Sequence, residues 1–507
     1  MGFPQGSTAI TIRPWFKAFE GAMSIMTDTE EITPAAPGLT IDAKSCWETY
    51  ATPEEREAMK TLADTYIAFL SACKTERETV QYVQGVLSGA GFAESLDGNF
   101  AGDAVYRVMK GKTMFVARKG KKPLSEGFRL LGAHCDTPRI DLKQRPLYQD
   151  CGVAQLKTHY YGGIRKHQWL ARALALHGVV AKKDGTVIPV TIGEDPADPV
   201  FTIPDLLPHL AYRQVEKKLS EAFEAEKLNI IIGHSPAEKP AETPETAEAK
   251  PAANGNGNDL IKAKVLTLLN ERYGIEEADL YSAELQAVPA GPARLVGLDG
   301  ALIGGYGQDD RVCVYAGLSA LLDAGQPEHT QIVLFWDKEE IGSEGSTGAK
   351  SRFFEYCLED LIEAWEPTAR KSRVLAAGKA VSADVHAAMD PDYQDLHEKL
   401  NSALLGSGPC FCKFTGHRGK VGANDAHPEY VAWLRSLLDG AGIPWQMAEL
   451  GRVDLGGGGT VAKFLAVYGM DIIDFGPAVL SMHSPFEITS VADLYATKLA
   501  YQAFLSS

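Results

Sequence analysis

Five short clusters of metal-ligand residue types occur along the 507-residue chain: His134-Cys135-Asp136, Asp309-Asp310, Asp337-Lys338-Glu339-Glu340, Asp384, and Met482-His483-Ser484. Each alone says little, because an acidic pair ahead of an apolar stretch also makes a helix N-cap and a lone His-x-Asp is usually a hydrogen-bonded pair. Together they contain what a two-metal hydrolytic site requires. One carboxylate can bridge two divalent ions, each ion has one His and one further carboxylate, and one carboxylate remains as a base. Local geometry divides the roles. In extended chain, residues two apart share a face, so Asp136 can back His134 and fix its tautomer. Adjacent residues face opposite ways, so one of Glu339 and Glu340 can hold metal while the other faces substrate.

Four of the clusters end short apolar runs. Residues 128–133, 331–336, 380–383 and 470–475 read as buried strands, whereas Asp309-Asp310 opens a helix-like stretch at 312–324. Helical periodicity also covers 53–90, with Met59, Leu62, Ala63, Tyr66, Leu70 and Cys73 at threes and fours, and then 429–440 and 491–505. Strands alternating with helices predict an α/β fold with a mixed, mostly parallel sheet flanked by helices. In such sheets ligands bind beyond the carboxyl ends of the strands. Residues 150–290 differ, with strand-like 179–180 and 186–192 and a Pro-rich connection, and read as a β-rich domain inserted into the first. Within it, 236–258 contains only Pro, Ala, Glu, Lys, Thr, Asn and Gly, a composition that predicts a mobile loop. The division expected is an N-terminal arm at 1–43, a catalytic domain in two parts at 44–149 and 291–507, and the insertion between them. Met23 and Met26 in the arm offer alternative translation starts.

Composition narrows the function classes. Lys plus Arg number 50 against 66 Asp plus Glu, a formal charge of −16, which disfavours nucleic acid as a partner. No stretch approaches the roughly 18 apolar residues of a membrane helix, and no apolar run suggests a secretory signal. Eight scattered cysteines are too sparse for a disulfide framework and predict reduced thiols in a cytoplasmic protein.

In residue type and order, His134-x-Asp136, Asp309-Asp310, Glu339-Glu340-x-Gly342-Ser343, Ser382-Ala383-Asp384 and Ser481-Met482-His483-Ser484 resemble the aspartyl aminopeptidase family, metallopeptidase family eighteen. The resemblance covers residues 44–507 and is greater to the bacterial branch, through Phe475-Gly476-Pro477 and Met482-His483-Ser484-Pro485-Phe486-Glu487. Tyr160-Tyr161-Gly162-Gly163 and Ile203-Pro204-Asp205-Leu206-Leu207-Pro208-His209-Leu210 are similar to segments of that family's inserted domain. The resemblance implies two divalent metal ions per subunit, zinc by preference, with manganese or cobalt also suited to His and carboxylate ligands. His134 and Asp384 would hold one ion, Glu340 and His483 the other, and Asp309 would bridge them. Glu339 would be the general base, with Asp136 behind His134. The inserted domain would mediate dimerisation, and dimers would assemble into a homo-oligomeric dodecamer. His167, or else His159, would reach a neighbouring subunit's oxyanion, and Lys413 would supply the cation for acidic N-terminal residues of peptide substrates. Asp310 stands where eukaryotic members carry Asn, adding negative charge. The run Gly456-Gly457-Gly458-Gly459 lacks the flanks of a phosphate cradle and reads as a backbone wall beside substrate. The rival readings are a metal-dependent amidohydrolase or deacylase and a non-catalytic assembly protein.

Overall fold

The computed structural model describes residues 44–95, 100–238 and 259–507. The expected arm at 1–43 and all but the first three residues of the expected mobile loop lie outside the described residues. Nine strands form the main sheet, and its middle is built from the apolar runs that end in the ligand clusters. The order is Ala93–Glu94, Ala104–Met109, Thr113–Arg118, Thr330–Trp336, Phe128–His134, Lys379–Ser382, Asp471–Gly476, Cys410–Cys412 and Gln446–Met447. The four strands from Thr330–Trp336 to Asp471–Gly476 run parallel, and both strands bordering this group run antiparallel to it. Register pairs Trp336 with His134, and Ser382 with both Gly132 and Asp474. Parallel strands in this register deliver their carboxyl ends, and the clusters that follow them, to one edge of the sheet.

Alternation along these strands makes two cores. Leu131, Ala133, Val333, Phe335, Val381 and Ile473 face one side and pack under the helices Pro53–Ala72, Gln308–Asp323, Pro428–Gly440 and Val491–Ser506. Leu130, Ile332, Leu334, Trp336, Ala380 and Ile472 face the other, under Phe353–Trp365, Lys371–Ala377 and Ala462–Ala466. A sheet buried on both faces accounts for the near-continuous apolar character of these runs. The single helix expected at 53–90 is two, Pro53–Ala72 and Glu76–Gly89. Thr75 starts the second with a capping box: its side chain accepts from the Glu78 N–H, and Glu78 accepts from the Thr75 N–H.

A second, antiparallel sheet runs Val187–Ile192, Leu174–Ala181, Ala283–Pro289, Arg139–Asp150, Val153–Tyr161, Ile230–Gly233 around its own core, which includes Ile140, Leu176 and Val288. Its first strand in chain order begins at Arg139, five residues after His134 ends a strand of the main sheet. A five-stranded sheet, Arg294–Val296, Leu302–Gly305, Glu487–Ser490, Ala478–Leu480 and His386–Ala387, flanks the site. All eight cysteines are free thiols, and only Cys151 is exposed. Among the described residues, no helix is long and apolar enough to cross a membrane.

Candidate metal centre

Asp309 sits between the two candidate histidines. Its Oδ1 lies 3.1 Å from His134 Nε2 and its Oδ2 lies 3.2 Å from His483 Nε2. Asp384 Oδ1 is 3.9 Å from His134 Nε2, and Glu340 Oε2 is 3.4 Å from His483 Nε2. Two ligand groups therefore share Asp309: His134 with Asp384, and His483 with Glu340, the candidate ligand atoms of each lying within 4.8 Å of one another. The five residues come from three strand ends, one helix start and one loop, as the topology requires.

The backbone under these ligands is specialised. Asp309 and Asp310 have non-helical dihedrals at the head of Gln308–Asp323 and are joined by a cis peptide bond. Lys338, Ser343, Ser481 and His483 have positive φ without being glycine, a conformation that costs free energy and concentrates at functional sites. Both imidazoles are fixed by backbone carbonyls. His134 Nδ1 lies 3.0 Å from the Asp136 carbonyl, and His483 Nδ1 lies 3.2 Å from the Gly163 carbonyl. A carbonyl only accepts, so each Nδ1 carries a proton, and Nε2 is the atom of each ring that faces Asp309. Space is tight here, because a Cβ on Gly163 would lie 3.1 Å from His483 Nδ1.

Asp136 does more than back His134. Fully buried, it accepts the Glu339 N–H at 3.0 Å on Oδ1, and the Glu340 N–H at 3.2 Å and the Tyr161 hydroxyl at 2.8 Å on Oδ2. Its Oδ1 is 3.4 Å from His134 Nδ1, so one carboxylate sets the turn Glu339–Ile341 beside the imidazole. Glu487, which sequence reasoning assigned no role, does the matching work for the other half. It is fully buried, its Oε2 accepts the Asp309 N–H at 3.1 Å, and its Oε1 accepts the His483 N–H at 2.7 Å. It opens the short strand Glu487–Ser490 four residues after His483, and nothing local in the sequence singles it out.

The electrostatics favour added positive charge. Burial alone would lower His134, yet hydrogen bonds to Asp136 and Asp309 raise it well above the ordinary imidazole value. His483 behaves likewise: Asp309 and Glu340 overcome its desolvation and push it up to about 10. Burial, reinforced by neighbouring carboxylates, raises Asp384 and Glu340 well above the carboxylate range and brings Glu339 to about 7. Glu340 Oε1 is buried without a hydrogen-bond partner among the described residues. Converging buried carboxylates with an unpartnered oxygen are costly unless a cation compensates them. Their oxygens and the two Nε2 atoms also make a donor set suited to zinc, so the residues fit the metal.

A cleft of about 710 Å³ opens over this floor, lined by Asp309, Glu339, Glu340, Asp384 and His483 and walled by the 414–420 loop and the 456–459 glycine run. The glycine run is thus a backbone wall of this cleft, and Gly457–Gly458 pairs antiparallel with Gly416–His417. Lys413 does not line the cleft. Its neighbours Cys412 and Phe414 do, and successive side chains leaving a strand point opposite ways. His167 is also outside this chain's cleft: it is half-buried on the turn Lys166–Trp169, its ring 5.8 Å from Phe223. His159 is exposed and lines a neighbouring groove shared with Tyr160 and Glu340.

Residues 69–505 match the family described as aminopeptidase I zinc metalloprotease (M18). A protein of Clostridium acetobutylicum named probable M18 family aminopeptidase 1 is 46% identical over 92% of this chain and 98% of its own length. A Thermotoga maritima protein of the same name is 44% identical over 92% and 99%. The crystal structure of a Thermotoga maritima M18 aminopeptidase superposes with a TM-score of 0.84 at 45% identity, covering 92% of this chain and all of that one. The fold alone is shared with a yeast protein described as a dodecamer, at a TM-score of 0.70 and 20% identity. Family match, relatives and site geometry agree, and the chain belongs to the M18 family of metal-dependent aminopeptidases.

Proposed function

We propose that this M18 peptidase removes N-terminal residues, acidic ones among them, at a dinuclear zinc centre. The observation that carries the reading is the division of Asp309 between the two imidazoles, one oxygen to each, as a bridging carboxylate requires. His134 and Asp384 would hold one ion, and His483 and Glu340 the other. Bound there, zinc supplies Lewis-acid polarisation of the scissile carbonyl and a water of lowered pKa. Glu339 lines the cleft and groups with His134 and Glu340 rather than with Asp309. Its carboxylate takes the proton of the attacking water and passes it to the leaving amine. Asp136, through the Glu339 and Glu340 amides, holds that base in place.

His167, remote from its own cleft, fits the expected role at a neighbouring subunit of a homo-oligomer. Leu210, Tyr212 and Val215 on the same insertion are 66%, 73% and 79% exposed, a patch of the kind that subunit contacts cover. The reading is tested with aminoacyl chromogenic substrates and their N-acetylated counterparts, supplied with zinc, manganese or cobalt. Glu339→Gln should retain two ions per subunit by elemental analysis and lose about 10²-fold or more in kcat. Hydrolysis of only the N-acetylated series, or a single bound ion at saturation, refutes it.

A further inference from the structure

With Lys413 outside the cleft, the cations that line it are Arg418, Lys420, Arg452 and Lys463. Three of them are committed or loosely held. Lys420 Nζ is 3.1 Å from Asp425 Oδ2 and 3.9 Å from the Phe414 ring. Arg452 donates to the Asp395 carbonyl at 3.0 Å. Arg418 is exposed at the tip of the turn between His417 and Val421, with φ 49°.

Lys463 differs from all three. Its backbone opens the helix Ala462–Ala466 between the buried Ala462 and Leu465, so its origin is fixed by the core. Its ammonium lies 4.9 Å from the Phe464 ring and packs on the glycine wall, where a Cβ at Gly459 would come within 3.0 Å of Nζ. Among the described residues it has no carboxylate partner. Half-buried and unpaired, its ammonium keeps donors free for an anion that the protein itself does not supply. Lys350 provides the internal comparison: it approaches the same Phe464 ring at 5.1 Å, but is neutralised by Glu344 and does not line the cleft.

We propose that Lys463 is the specificity-determining cation of this cleft and pairs with a carboxylate of the substrate. The assignment rests on the aminopeptidase reading above. Two groups on a peptide carry that chemistry, the side chain of an N-terminal Asp or Glu and the C-terminal carboxylate of a short peptide. The zinc-loaded enzyme is therefore assayed on Asp-Ala-amide against Ala-Ala-amide for the first, and on Ala-Ala against Ala-Ala-amide for the second.

For Lys463→Met, the preference for the charged member of one pair, as a ratio of kcat/KM, should fall about 10-fold or more. That loss lies between an exposed and a buried ion pair. Lys463→Arg should recover most of the ratio, Lys463→Glu should depress it further, and Lys350→Met should leave it within about 2-fold. Circular dichroism and metal content confirm that each variant is folded and loaded. The pair whose ratio falls identifies the carboxylate. The proposal is overturned if both ratios in Lys463→Met stay within about 2-fold of the parent, if charged and neutral substrates decline together, or if the parent shows no preference in either pair. In each case hydrolysis of Ala-Ala-amide leaves the aminopeptidase reading standing. If the parent cleaves none of the free-amine peptides, that reading fails and takes this one with it.

Discussion

Glu487→Gln probes whether the two halves of the metal centre are coupled through one buried side chain. In the parent, each Glu487 oxygen accepts one backbone N–H, from Asp309 and from His483. The amide retains one acceptor and turns an NH₂ towards the other N–H, so one of the two bonds is lost. Burial raises Glu487 to about 8, bound cations beside it would keep it ionised, and a hydrogen bond to a charged group contributes about 1.5–3 kcal/mol. At 1.4 kcal/mol per decade this predicts about 10–100-fold weaker zinc binding, the range found when groups supporting metal ligands are removed. Glu487→Ala loses both bonds and leaves two buried N–H groups unpaired, for about 3–6 kcal/mol, enough to lower the denaturation midpoint as well. The assay is competition for zinc against a chromogenic chelator, with Asp309→Asn as the reference for loss of a direct ligand. If Glu487→Gln binds zinc as tightly as the parent while Asp309→Asn does not, the argument that Glu487 positions both halves is wrong.

Removing metal should destabilise the fold, because Asp309, Glu340 and Asp384 are then left converged without a counter-charge; zinc should restore the melting temperature in a concentration-dependent way. Tyr161→Phe removes the 2.8 Å bond to Asp136 and should lower kcat by about 5–10-fold, with unchanged metal content, in steady-state assays. His177 bridges Glu78 at 2.7 Å and Glu194 at 3.0 Å, and although burial alone would lower its pKa, these carboxylates raise it. Its contribution to stability is therefore fully present below the unfolded imidazole pKa and is lost as pH rises through the folded one; urea titrations of parent and His177→Gln should differ most near pH 6 and converge in alkali. Thr75→Ala removes the capping box of Glu76–Gly89 and should cost about 1 kcal/mol in the same titration.

The catalytic strands and their clusters were legible because burial on both faces writes an uninterrupted apolar run, and each run stops where polar ligands begin. The strand predicted at 128–133 is Phe128–His134, and that at 331–336 is Thr330–Trp336. Where periodicity persists across a break it misleads: Met59 to Cys73 continues smoothly towards Val80 and Val83, and only Thr75-x-x-Glu78 marks the new start. The strand Arg139–Asp150 was not legible because it is half exposed, with Pro146 near its register shift, and so lacks a strand's usual signature. Glu487 was missed because nothing local separates an acid that holds two ligand amides from one that faces solvent. Lys463 was overlooked for a similar reason, since its isolation from carboxylates is a property of the folded cleft.

The segment Tyr161–Gly163 bears on how this protein could be rebuilt. The insertion supplies the hydroxyl that touches Asp136 and the carbonyl that sets the His483 tautomer, yet it contributes none of the five candidate metal ligands. Exchange of this whole segment between relatives would therefore also exchange groups that set the candidate site. A chimera joined downstream of Gly163 keeps those groups native. One joined upstream must reproduce the foreign hairpin's register to within a residue, and a framework stripped of this segment would keep all five candidate ligands yet lose the groups that set two of their neighbours' positions.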